Sequence, residues 1–174
     1  VAIDGRVIDD HFPGIGRYVY RLVEALAELP DEGGRPLELQ LLHRPGSRDR
    51  RFDLAALSEL PGLSLHALDA PVFGPTSEWR IPRALRALDA EIWHATYWLG
   101  TAHAGRPTVL TLYDLIGRNQ PGSVPGLRSR LLALALKRAI RAADRVITIS
   151  EAAAIDIRAA GLSAARAPIV TPLA

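Results

Sequence analysis

Gly14-Ile15-Gly16-Arg17-Tyr18 is the segment of this chain best suited to hold an anion. It follows a short apolar run, Val1 to Ile8, and opens a helical pattern. Two glycines without Cβ atoms let the backbone turn sharply and lie close to a ligand. The start of the helix behind them offers unpaired N–H groups and the positive end of its dipole. A phosphate or a sugar could rest there. A plain strand-to-helix turn is the alternative. Tyr113-Asp114, at the end of the most strand-like run, is the second candidate. Asp114 can accept hydrogen bonds from hydroxyls, or it can simply cap its loop. Thr96 and Tyr97 follow another short run, and Ser150-Glu151 begins a helix where the dipole favours an acidic residue.

Several chemistries are disfavoured by the residues around these candidates. A dinucleotide fingerprint needs a third glycine, and Val19 stands where it would be. No glycine loop is followed by a phosphate-binding lysine. The five histidines, His11, His43, His66, His94 and His103, have no compact ligand spacing, so no metal is expected. His94 ends a buried-looking run and reads as structural. The chain has no cysteine, which excludes thiolate chemistry and disulfides and fits a cytoplasmic protein.

The elements that must position these residues alternate along the chain. The periodicity predicts strands over Val1–Ile8, Leu37–Leu42, Leu63–Leu68, Glu91–His94, Thr108–Tyr113, Arg145–Ile149 and Pro168–Thr171. Ile15, Val19, Leu22, Val23 and Leu26 form one apolar helical stripe. Further helices are expected over Phe52–Leu60, over Glu78–Leu88 with Ser77 as its cap, over Leu127–Ala143, and from Ser150 to Gly161. Pro82 is expected to kink the second of these or to mark its true start. Arg128, Arg130, Lys137, Arg138 and Arg141 make the long helix basic. That leaves peripheral contact with an anionic membrane open, beside the simpler reading of a solvated face. Such alternation predicts an α/β fold: a parallel sheet of about seven strands with helices on both faces and the first strand central. Ligands of such sheets bind beyond the carboxyl ends of the strands, where all the candidates above fall.

The 174 residues suffice for one domain with a sizeable core, and 48% apolar against 23% charged residues is ordinary globular usage. A net charge of +2 does not imply nucleic-acid binding. The chain has no Met, starts within an apolar strand and ends just after another. It is therefore expected to be a single domain, 1–174, cut from a longer protein.

Taken in order, four segments resemble the N-terminal domain of family 4 glycosyltransferases of the GT-B fold. They are Gly14-Ile15-Gly16-Arg17-Tyr18, Trp93-His94-Ala95-Thr96-Tyr97, Thr111-Leu112-Tyr113-Asp114-Leu115, and Ala143 through Glu151. The resemblance implies a Rossmann-like, acceptor-side half of the enzyme. A C-terminal domain, absent from this chain, would bind most of a nucleotide-sugar donor. It implies retaining transfer to a glycan or lipid-linked acceptor, with no cofactor and no metal, in the cytoplasm or at the inner membrane face. Gly14 and Gly16 would approach the donor phosphates or sugar. Asp114 and Tyr113 become the catalytic candidates, and Arg17, Thr96, Tyr97 and Glu151 the acceptor-binding ones. Many relatives carry histidine where this chain has Tyr113, so a histidine-based role is not expected at that position. Two other readings compete: a non-catalytic module that holds a small anion, and half of a sugar-nucleotide epimerase.

Overall fold

The computed structural model describes residues 1–47, 49–72, 74–98, 103–113, 127–160 and 167–172. Seven parallel strands form one sheet: β1 (Ala2–Asp4), β2 (Leu39–His43), β3 (Leu63–Ala67), β4 (Trp93–Ala95), β5 (Thr108–Thr111), β6 (Arg145–Thr148) and β7 (Ile169–Val170). Their order is β3-β2-β1-β4-β5-β6-β7. The chain builds leftward from β1 to β3, crosses back, and builds rightward from β4 to β7. The reversal lies between β1 and β4, where Ala2 pairs with Trp93 and Ile3 with His94. The expected parallel α/β sheet of seven strands is present, with β4 in the middle position and β1, expected there, one place to its side.

Adjacent residues along a strand face opposite sides of a sheet, and here the two sides own separate cores. Ile3 and Leu41 join Val19, Val23 and Leu57 beneath α1 (Pro13–Ala27) and α2 (Leu54–Leu57). Ala2, Leu42 and Trp93 join Leu110, Ile81, Ile140 and Ile157 beneath α3 (Ser77–Ala87), α4 (Leu127–Ala142) and α5 (Glu151–Ala159). Crossovers of one hand place the helices this way.

Boundaries differ from the sequence reading for local reasons. β1 stops at Asp4 rather than Ile8, because Gly5 to Phe12 turns away, with the Ile8 N–H donating to the Gly5 carbonyl at 3.0 Å. Ser77 does not cap α3: it lies inside the helix, and its hydroxyl donates to the Pro71 carbonyl at 2.8 Å. Pro82 neither starts nor ends that helix and is buried within it. The Phe52–Leu60 helix shrinks to one turn capped by Asp53, whose carboxylate accepts the Ala55 N–H at 2.8 Å. The expected end of α5 at Gly161 lies outside the described residues.

Candidate functional site

The site is assembled at the carboxyl ends of β1, β4 and β5, beside the reversal in strand order, where no crossover blocks access. Its floor is polar and fully buried. Asp4 ends β1, and Arg6 folds back to chelate it: Nη2 reaches Oδ2 at 2.6 Å and Nε reaches Oδ1 at 2.8 Å. Arg6 Nη1 donates to the Pro71 carbonyl at 2.9 Å and to Ser77 Oγ at 3.0 Å. Burial works to lower the pKa of the guanidinium, and the charge and hydrogen bonds of Asp4 more than offset it, leaving it raised. This pair is internally neutralised and ties the β1 end to the loop ahead of α3. Sequence reasoning did not single it out. Its signal was present: two opposite charges, two residues apart, in an otherwise apolar segment.

Beside this floor runs a row of neutral groups. His94 on β4 faces Thr111 on β5, with Nε2 to Oγ1 at 2.8 Å. Burial pushes His94 down to about 4, although the Asp4 carboxylate works against it. Tyr18 Oη lies 3.4 Å from the same Thr111 hydroxyl, and its ring packs edge-on against Tyr113 with centroids 5.3 Å apart. Burial raises the pKa of both phenols. The Thr111 hydrogen bond partly counters this for Tyr18, while Tyr18, Asp4 and Tyr97 push Tyr113 further. The Tyr113 hydroxyl is buried and has no hydrogen-bond partner among the described residues. Tyr18 and Tyr113 are therefore donors, not bases, near neutral pH.

Over this row stands the start of α1. Pro13 begins the helix, where its missing N–H costs nothing, and Phe12 offers no side-chain cap. The Gly16 N–H donates to the Phe12 carbonyl at 2.7 Å. The Gly14 and Ile15 N–H groups precede the first such bond and have no partner among the described residues.

The two glycines, expected to share one role, then part company in their surroundings. Both are helical, so neither makes the sharp turn. Gly14 is exposed, and a Cβ there would meet nothing within 4 Å. Gly16 is buried, and a Cβ there would lie 3.0 Å from the Val7 carbonyl oxygen and 3.4 Å from Ile8 Cα. Gly16 therefore lets the helix sit against the β1–α1 loop; only Gly14 has open space before it. Thr96 is likewise turned inward. It is fully buried, and its hydroxyl donates to the Asp4 carbonyl at 2.5 Å, stitching β4 to β1 rather than facing an acceptor.

Tyr97 does face the site's edge, half-buried, with its ring 6.0 Å from Phe12 and 5.9 Å from Trp98. Arg17 is exposed on the first turns of α1. Glu151 starts α5, exposed, 3.9 Å from Arg158; Ser150 caps that helix by accepting the Ala153 N–H at 3.2 Å. It stands at the end of β6, two strands from the reversal point. Asp114 lies outside the described residues. At the strand ends Tyr18 thus packs against Tyr113, and Tyr97 lies beside Phe12 at the start of α1. A depression of about 500 Å³ adjoins the end of β2, where Asp49, Arg51 and Phe52 line it. We place the site at the reversal point rather than there, because the Gly14 and Ile15 N–H groups and the Tyr113 hydroxyl, which have no partners among the described residues, follow the carboxyl ends of β1 and β5.

A family model described as Glycosyltransferase Family 4 matches residues 13–172. No curated protein matches the chain.

Proposed function

The chain belongs to glycosyltransferase family 4, and from that premise we propose that it is the acceptor-side half of a retaining enzyme using a nucleotide-sugar donor. A second, donor-binding domain in the longer protein would close over the strand ends. The acceptor is a glycan or a lipid-linked sugar, and the work is done in the cytoplasm. The observation that carries this reading is the family match over residues 13–172; beside it, the Gly14 and Ile15 N–H groups at the start of α1 and the buried Tyr113 hydroxyl after β5 have no partner among the described residues.

Glycosyl transfer leaves negative charge on the departing phosphate as the sugar gains positive charge. Fixed N–H and O–H donors near that phosphate stabilise the developing charge without reorganising. Tyr18 and Tyr113 are neutral phenols near pH 7, and burial, by raising their pKa further, keeps them so at higher pH; each can give a hydrogen bond. Arg17, exposed on the same helix start, supplies a positive charge for the phosphates or for an anionic acceptor. Asp114, next in sequence to Tyr113, remains the candidate to order an acceptor hydroxyl. Closure of two domains would exclude water, the competing acceptor.

The test is a panel of nucleotide-sugar donors against the longer protein, with nucleoside diphosphate release and glycosylated product as paired readouts. Acceptor-dependent release with one donor is the expected result. Loss of that release on Gly14→Val, with an unchanged melting curve, would place the donor against the start of α1. Absence of transfer with every donor would return the domain to the class of anion-binding modules.

A further inference from the structure

We propose that Asp49 is a positioning residue: through Arg51, Arg50 and Asp10 it fixes the loop between β1 and α1, and with it the start of α1. Asp49 belongs to a basic segment, yet its side chain is fully buried. A carboxylate leaves water only where charge and hydrogen bonds replace it. Arg51 supplies both. Its backbone N–H donates to Oδ1 at 2.9 Å, its Nε to Oδ1 at 3.0 Å and its Nη2 to Oδ2 at 2.8 Å. An arginine fork closed on a carboxylate two residues away gives the loop after β2 one shape.

The same pair of arginines reaches across to the loop after β1. Arg50 donates to Asp10 twice, from its backbone N–H to Oδ1 at 3.1 Å and from Nε to Oδ2 at 3.0 Å. Arg51 Nη2 lies 3.9 Å from Asp10 Oδ1, so one guanidinium stands between the two carboxylates. Asp10 is two residues ahead of Phe12, from which α1 starts. Loops 40 residues apart in sequence are joined in this way by alternating charge. The Arg50 side chain is 88% exposed, and an exposed pair of that kind holds little by itself. The buried member, Asp49, is the one that decides.

Asp49 also stands against the helix. A Cβ on Gly16 would lie 3.6 Å from Asp49 Oδ2, which sets the carboxylate beside the first turn of α1. That helix has neither a side-chain cap at Phe12 nor an acidic residue in its first turn. Negative charge near a helix start stabilises it by opposing the dipole. Asp49 provides from another loop what the helix's own sequence omits. The cluster holds two carboxylates and two guanidiniums, so it sets no net charge against an anion at the Gly14 and Ile15 N–H groups. Those groups can act on a departing phosphate only while they keep their place, and a displacement of about 1 Å costs up to about a hundredfold. This consequence rests on the glycosyl-transfer reading; the hold on α1 does not.

The experiment uses the longer protein with Asp49→Asn, which keeps the shape and loses the charge, with Arg51→Gln, and with both. Amide hydrogen exchange over residues 10–19 should quicken by about five- to thirtyfold in each, the worth of a charge at a helix start, while β4 and β5 keep the parent's rate. Well below each melting temperature, kcat should fall about tenfold or more, with the KM for acceptor unchanged. The double variant should lose no more than the worse single one, as members of one unit do. Asp10→Asn, at a carboxylate 37% exposed and so without risk to the core, should act in the same direction and more weakly. Exchange at the parent's rate would overturn the proposal, whatever the enzyme does. Faster exchange with the parent's kcat would overturn the positioning role and leave the transfer reading standing. Losses that add in the double variant would show that Asp49 and Arg51 act apart, which also overturns it. A parent that transfers sugar from no donor would bring down the transfer reading and the catalytic consequence together, while the exchange rates still decide whether Asp49 holds α1.

Discussion

Gly16 and Gly14 sit two residues apart in one motif, yet a Cβ would be judged by opposite neighbours at each. At Gly16 the nearest atoms belong to backbone, the Val7 carbonyl oxygen and Ile8 Cα, which do not rotate away. Gly16→Val should therefore destabilise the fold by about 1–3 kcal/mol, as other overpacked sites do. Gly14→Ala meets open space in a helical position and should be neutral or stabilising by roughly 0.5–1 kcal/mol. Denaturant melts of the two variants check this. Equal stability for both would mean that the helix is not pinned against the loop at Gly16. Tyr113 poses the reverse test. Its hydroxyl is buried without a partner among the described residues, and deleting such a group removes a cost of about 1–3 kcal/mol. Tyr113→Phe should thus melt no lower than the parent. If the hydroxyl waits for a substrate oxygen, the same variant of the longer protein should lose about tenfold in kcat/KM, the worth of one hydrogen bond. An unchanged kcat/KM would assign the residue to packing alone. At this scale the sequence was a partial guide. It gave Gly14 and Gly16 one shared role and set Thr96 among the acceptor-binding candidates, without a signal for how differently each is surrounded. Motif spacing says nothing about which side of a helix a missing Cβ faces, and a hydroxyl's partner can be ninety residues away, as the Asp4 carbonyl is for Thr96.

The elements were legible because each carries its own period, and their ends were not because ends are settled by tertiary partners. β1 reads as eight apolar-leaning residues, yet the chelation of Asp4 by Arg6 bends the chain after three. Pro82 reads as a kink or as the true start of the helix, but the burial of Ile81, Pro82 and Leu85 against the sheet holds the helix through it. The seam between β4 and β5 is another place where tertiary context decides. His94 sits there, 7% exposed, joined to Thr111 and depressed from 6.5 to about 4 chiefly by burial. The unfolded chain then binds a proton that the folded one refuses at pH values between these two. Stability contributed by the neutral imidazole is full above about pH 6.5 and is lost as pH falls toward 4. The loss approaches roughly 3 kcal/mol at its limit. Urea melts from pH 7 to pH 4 should show this slope, and His94→Gln should flatten it while lowering stability at neutral pH. A parent and a variant with parallel pH profiles would show that other groups carry the acid sensitivity.

The whole molecule is a sheet covered by helices, with two cores divided by its strands, and nothing in that division needs a second domain for folding. Ile3 with Val19 and Val23 on one face, and Trp93 with Ile81, Leu110 and Ile140 on the other, are fully or almost fully buried within this chain alone. The site is different in kind. It occupies one edge of the sheet, and its donors, the N–H groups of Gly14 and Ile15 and the hydroxyl of Tyr113, lie on that edge without opposing groups among the described residues. Folding and catalysis should accordingly separate. The 174-residue chain, expressed by itself, is expected to melt in one cooperative transition, because both cores share the strands that divide them. On the proposed reading it should nevertheless fail to transfer sugar from any nucleotide donor, since positioning and water exclusion would then depend on a donor-binding domain facing this edge. Calorimetry and a product-release assay on the same preparation measure the two properties together. Turnover by this chain at the rate of the longer protein would show that the edge is a complete active site. A chain that unfolds in two steps, or only with the remainder of the protein attached, would show instead that one of the two cores is finished by another part of the protein.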